Sequence, residues 1–192
     1  ADKFWQSTLT NFVIFGNFVR KLVLNHTLNI NTGISLKIKK GLPSGSGLGS
    51  SAASAVGGAY AVNILLGKKL NNEQLLQAAM SGEYSVSGGY FADNVAPAIY
   101  GGATLTRSLH PLHVTPLGNI SDLIIILAIP NVQILTRDAR QVIPKNVDFT
   151  DCIHNMANTA SITAAFCKNN YDLIKDNLFD QIIEPRRAKL IP

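Results

Sequence analysis

The stretch Gly41-Leu42-Pro43-Ser44-Gly45-Ser46-Gly47-Leu48-Gly49-Ser50-Ser51 most limits what this chain can fold into. Gly45, Gly47 and Gly49 alternate with small residues. Glycine lets the backbone take positive φ and turn successive N–H groups into one concave anion nest. Upstream, Ile34, Leu36 and Ile38 alternate with Ser35, Lys37 and Lys39, the pattern of a half-buried strand. Downstream, Ser50–Leu66 is rich in alanine, valine and leucine, which reads as a helix with Gly67 at its C-terminal cap. A flexible Gly/Ser linker would have polar, unstructured flanks. A strand, a phosphate-receiving loop and a helix whose N-terminus faces the anion fit the flanks better. No Lys follows the glycines as in GxxxxGK[ST], and Ser50 stands where GxGxxG needs its last glycine. The loop is therefore neither a Walker loop nor a Rossmann fingerprint.

The remaining chain alternates helical and extended signals. Phe12, Phe15, Val19, Leu22 and Val23 give Asn11–Asn25 a helical face, and Asn71-Asn72-Glu73 can cap a helix over Glu73–Val86. Ala103–Thr106 reads as a short strand, His110–Pro116 as a loop, and Leu123–Ile129 as a central strand ended by Pro130. Helices follow at Thr136–Gln141, at about Cys152–Lys168 behind a cap in Asp148–Asp151, and at Asp172–Ile183, stopped by Pro185.

Several function classes are excluded by composition. With 46% hydrophobic and 15% charged residues among 192, the chain buries a core and is not disordered. Net charge is +5, but no Lys/Arg run exceeds two, which argues against a nucleic-acid groove. The longest apolar run, Leu123–Ile129, is too short to span a bilayer, so no membrane partner is expected. His26, His110, His113 and His154 form no HxxxH pair, and Cys152 and Cys167 read as reduced, buried thiols of a cytoplasmic protein. The first twenty residues lack a signal-peptide layout. The chain opens at Ala1 and stops at Pro192 after a basic stretch. A piece cut at both ends is the expectation, with an exposed sheet edge or apolar patch able to drive homo-oligomerisation.

Pro43–Ser54 resembles the phosphate loop of the GHMP small-molecule kinases. Ala92-Asp93-Asn94-Val95-Ala96-Pro97-Ala98-Ile99-Tyr100-Gly101-Gly102 resembles the homoserine kinase pattern H-A-D-N-V-A-P-x-x-x-G-G. Leu135–Pro144 and Glu184–Pro192 are similar to two further stretches of that branch, so the resemblance runs from about Asn11 to Pro192. It implies an α+β GHMP kinase fold, incomplete at both ends. A nucleotide-binding N-terminal domain would occupy residues 1–118 and a ferredoxin-like C-terminal domain residues 119–192.

The resemblance also implies ATP and Mg²⁺ as cofactors, and phosphorylation of the hydroxyl of L-homoserine to O-phospho-L-homoserine on the route to threonine. Pro43, Ser44, Gly45, Ser46, Gly47, Leu48, Gly49, Ser50 and Ser51 would hold the ATP phosphates. Ser51 and Glu83 would bind the metal, as hard oxygen ligands do. Asp93 and Glu83 would be the catalytic residues. Asp93, Thr136, Arg140 and Arg187 would hold the substrate, the two guanidinium forks matching its carboxylate. From the residues alone, Glu83 also reads as a solvated helix acid, Asp93 as an Asx-turn residue, Thr136 as a helix cap, and the two arginines as surface charges. One departure is Phe91, where the homoserine kinase pattern usually has His. Another GHMP kinase, acting on a sugar or mevalonate-type alcohol, and a non-catalytic homologue are the rival readings.

Overall fold

The computed structural model describes residues 36–42, 47–87, 89–121, 123–128, 132, 134 and 136–191. The helix expected at Asn11–Asn25 lies outside them, as do Ile34, Ser35 and the loop residues Pro43, Ser44, Gly45 and Ser46. Leu36 and Ile38 are half-buried while Lys37 and Lys39 are exposed, so the expected alternation is present. No ladder partner for this segment is found among the described residues.

Three helices make the main core. α1 (Ser50–Leu65) buries Ala52, Ala55, Ala59 and Val62. Small side chains along one face let α2 (Asn72–Ser87) approach closely with Leu75, Leu76, Ala79 and Met80. The start of α2 is fixed by a reciprocal capping box: the Gln74 N–H donates to Asn71 Oδ1 at 2.9 Å, and the Asn71 N–H donates to Gln74 Oε1 at 3.0 Å. The turn between the helices is tied by Asn63, 3% exposed, whose amide accepts from the Leu70 N–H and donates to the Leu70 carbonyl. α3 (Val95–Tyr100) packs on both helices through Val95, Ala96 and Ile99.

An antiparallel hairpin, β1 (Ala103–Leu109) and β2 (Leu112–Gly118), follows and lies against α3. Here the structure corrects the loop expected at His110–Pro116. The turn is confined to His110 and Pro111, and Leu112 and Val114 face the core. Pro116 sits in β2, which has no second partner strand among the described residues, a position that tolerates a missing N–H.

The second half builds a smaller core from Ile120, Ala165 and Ile174. α4 (Thr136–Gln141) occupies the expected span. α5 (Phe149–Lys168) starts at Asp148, whose carboxylate accepts from the Thr150 N–H at 2.8 Å, and it packs against β2. Three further expectations fail. Residues 123–128 form no strand; Ile124, Ile125 and Ile126 are 82, 74 and 87% exposed, because no neighbouring strand among the described residues offers a ladder. The helix expected at Asp172–Ile183 is only α6 (Tyr171–Lys175), and Pro185 opens α7 (Glu184–Arg187) rather than stopping a helix. Cys167 is exposed and Cys152 half-buried, not the buried thiols expected, because α5 covers its inner face with Ala165 instead.

Candidate active site

Gly49 ends the loop at φ 70, a conformation costly for any residue with a side chain, and α1 begins at the next residue. A Cβ there would also stand 3.2 Å from Asn94 Oδ1, so the loop and the Asp93-Asn94 segment touch at this glycine. The Ala53 N–H donates to the Gly49 carbonyl at 2.9 Å, while helix geometry turns the N–H groups of Ser50, Ser51 and Ala52 out of the helix start. Ser50 Oγ donates back to the Leu42 carbonyl at 3.0 Å and fixes the loop mouth. A cleft of about 220 Å³ lies beside it, between Ile38–Leu42 and the Ser50, Ala53, Ser54 and Gly57 side of α1.

The packing of α1 on α2 brings Ser51 to Glu83. Ser51 Oγ donates to Glu83 Oε1 at 2.8 Å, and Glu83 is 8% exposed. Burial pushes the Glu83 carboxyl above its ordinary value; the Ser51 hydrogen bond pulls it down, the Asp93 charge pushes it up again, and the Lys40 ammonium draws it down. Burial lowers Lys40, and Glu83 raises it. A desolvated carboxylate with a serine hydroxyl is a pair of hard oxygen donors suited to a divalent cation whose remaining ligands are phosphate and water oxygens. Among the described residues no group of three or more His, Cys, Asp or Glu forms a self-contained metal cage.

Asp93 is exposed, and it lies close enough to Glu83 for their charges to interact. The segment before it is anchored to α2: Tyr90 stacks on Tyr84 with ring centroids 5.0 Å apart, and its hydroxyl is 3.2 Å from Ser81 Oγ. Phe91 meets α4: the Arg140 guanidinium carbon lies 3.9 Å from its ring centroid. The second arginine comes to the same place: Arg187 Nε donates to the Ala139 carbonyl at 3.1 Å. Thr136 stands at the first position of α4.

Sequence reasoning passed over three contributors. Lys40 was hidden in an ordinary basic strand end. Phe91 figured only as a departure from the homoserine kinase pattern. Asp180 accepts from the N–H groups of Ile182, Ile183 and Glu184 and from Asn155 Nδ2, and so sets the start of the helix that carries Arg187. Burial raises the Asp180 carboxyl, but these donors outweigh it and hold it at about 2. The Asp–x–x–x–Glu-Pro spacing was the available signal for that cap.

Gly47 and Gly49 lead into the start of α1, where Ser51 meets the buried Glu83. Residues 15–102 match the family described as GHMP kinases N terminal domain. The relatives it resembles are homoserine kinases. It is 42% identical over 163 residues to that of Methanococcus maripaludis, covering 84% of this chain and 54% of the relative. It is 39% identical over 161 residues to that of Pyrococcus furiosus, covering 83% and 54%. The crystal structure of homoserine kinase from Cytophaga hutchinsonii superposes with a TM-score of 0.82 at 39% identity, over 93% of this chain and 56% of that one. The fold is the α+β GHMP kinase fold. The chain spans about half the length of the curated relatives it matches. Among the described residues no helix is long and apolar enough to cross a membrane.

Proposed function

We propose that the protein transfers the γ-phosphoryl group of ATP to the side-chain hydroxyl of L-homoserine, giving O-phospho-L-homoserine for threonine synthesis in the cytoplasm. The observation that carries the reading is the convergence of five segments: the loop at Gly49, Glu83, the Phe91–Asn94 stretch, and the Arg140 and Arg187 helices. The similarity to homoserine kinases supports the same substrate.

In this proposal the loop and the first turn of α1 cradle the phosphates with backbone N–H groups and the positive helix end. Ser51 and Glu83 hold Mg²⁺, which when bound supplies charge neutralisation at the phosphates. Lys40, drawn toward Glu83, adds positive charge at the loop mouth. Asp93 faces the amino-alcohol end and orients its hydroxyl or its ammonium. Arg140 and Arg187 take the carboxylate, and Thr136, which opens α4, is assigned to the same substrate by the motif resemblance. Transfer then depends on positioning and electrostatics rather than on a strong base. The division at 118/119 places the phosphate groups in the first part and the carboxylate-binding arginines in the second.

Ligand-dependent stabilisation tests this reading. Mg·ATP should raise the melting temperature, and L-homoserine should raise it further while galactose, which has neither carboxylate nor ammonium, does not, since only a ligand bound by the folded state stabilises it. No response to homoserine in the presence of Mg·ATP would count against the substrate assignment.

A further inference from the structure

We infer that Phe91 is a positioning residue that determines amino-acid affinity by stacking on Arg140 and presetting its guanidinium for a carboxylate; this rests on the homoserine reading. The Arg140 guanidinium carbon lies 3.9 Å from the Phe91 ring centroid, inside cation–π range. All five guanidinium N–H donors lie in the plane of the group. A ring on its face therefore holds the side chain without consuming any donor needed for a substrate. Arg140 is exposed, and an exposed arginine left to itself samples many rotamers whose loss weakens binding.

The ring is itself fixed. Phe91 lies directly on Gly89, so close that a Cβ on Gly89 would collide with ring carbons Cε2 and Cζ. The preceding Tyr90 is held to α2 by Tyr84 and Ser81. The second arginine, Arg187, is tied to the Ala139 carbonyl, the residue next to Arg140. One guanidinium is thus held by an aromatic face and its neighbour by a backbone acceptor. A histidine at position 91 would compete for hydrogen bonds and, when protonated, repel Arg140. Phenylalanine does neither, so its presence changes how the arginine is held rather than merely removing a contact.

The test is a double-mutant cycle read in steady-state kinetics. Phe91→Leu should raise the homoserine KM about threefold to tenfold, the range of a cation–π contact at a partly exposed site. Phe91→Met, which also lacks the ring face, should do the same and stands in if the leucine variant folds poorly. Both should leave the ATP KM within about twofold, and Phe91→Tyr should restore the homoserine KM. In an Arg140→Ala background, Phe91→Leu should produce no further change, because its effect passes through the guanidinium. An unchanged homoserine KM in Phe91→Leu and Phe91→Met overturns the inference while leaving the homoserine reading intact. So does an additive effect in the Arg140→Ala background. No turnover of homoserine by the unaltered protein, with Mg·ATP bound, overturns the functional reading and the inference with it.

Discussion

Replacing Ser51 by alanine removes one hydroxyl from the pair that the proposed mechanism uses to hold Mg·ATP. The bond lost is the 2.8 Å donation to Glu83, and Glu83 is 8% exposed, so water does not readily replace the donor. A hydrogen bond to a charged group contributes about 1.5–3 kcal/mol, so a loss near 2 kcal/mol, roughly thirtyfold in kcat/KM for Mg·ATP, is expected. A second consequence has a definite sign. The Ser51 bond is one of the influences that lower the Glu83 carboxyl against the upward push of burial. Without it the carboxyl rises further, and it must be ionised to hold the cation. The acid limb of the pH profile should therefore move to higher pH in Ser51→Ala. Initial rates with varied ATP at fixed free Mg²⁺, from mildly acidic to mildly alkaline pH, read both effects. Ser51→Thr, which keeps the hydroxyl, should lie close to the unaltered protein. A Ser51→Ala variant that melts normally, with unchanged kcat/KM and an unmoved acid limb, would refute the reasoning.

Three other substitutions probe separate parts of the account. Arg140→Ala should raise the homoserine KM by roughly ten- to a hundredfold with a smaller change in ATP KM, since a carboxylate loses a charge-assisted partner; initial-rate kinetics check it. Asp180→Ala should raise the homoserine KM through Arg187 and flatten stability at low pH. The native carboxyl lies at about 2, below its ordinary 3.8. Its contribution is therefore complete above the ordinary value and lost as pH falls through about 2. It amounts to about 1 kcal/mol after allowance for solvent screening, measurable by denaturation at stepped pH. Asn63→Leu leaves the Leu70 N–H and carbonyl buried without their partner and should cost about 3 kcal/mol, a fall in melting temperature of roughly 6 to 12 °C.

What the sequence disclosed about this fold divides along the range of the interactions concerned. α1, α4 and α5 were legible because propensity, caps and periodicity act within a few residues; Thr136–Gln141 matches its expected span. The β2 strand was not, because Pro111 and Pro116 look like breakers until one knows that one bounds the turn and the other sits in a strand with no second neighbour among the described residues. Leu123–Ile129 has the composition of a buried strand, but pairing is a property of a partner elsewhere in the chain, and residues 124–127 are exposed here. The helix expected over Asp172–Ile183 was overextended because side chains compete with it. Asn177 donates to the Leu173 carbonyl, and Asp180 gathers three backbone N–H groups into the next start.

The site follows the same division. The glycine loop and the arginines were visible as motifs. That Asn94 lies against Gly49, that Lys40 reaches the field of Glu83, and that Phe91 faces Arg140 are consequences of helix packing and of one segment anchored to α2. No spacing rule in the sequence relates position 91 to position 140. The aromatic contact could be found only once α2 and α4 were placed.

Phosphoryl transfer to a panel of alcohols, followed by phosphorus NMR of the product, tests the central claim most directly. With Mg·ATP, the account predicts O-phospho-L-homoserine as the product, and a kcat/KM for L-homoserine exceeding that for galactose or for the carboxylate-free amino alcohol L-homoserinol by roughly a hundredfold or more, the weight of paired arginines on a carboxylate. Faster transfer to an alcohol without an amino-acid carboxylate, or no transfer by protein that binds Mg·ATP, would contradict it.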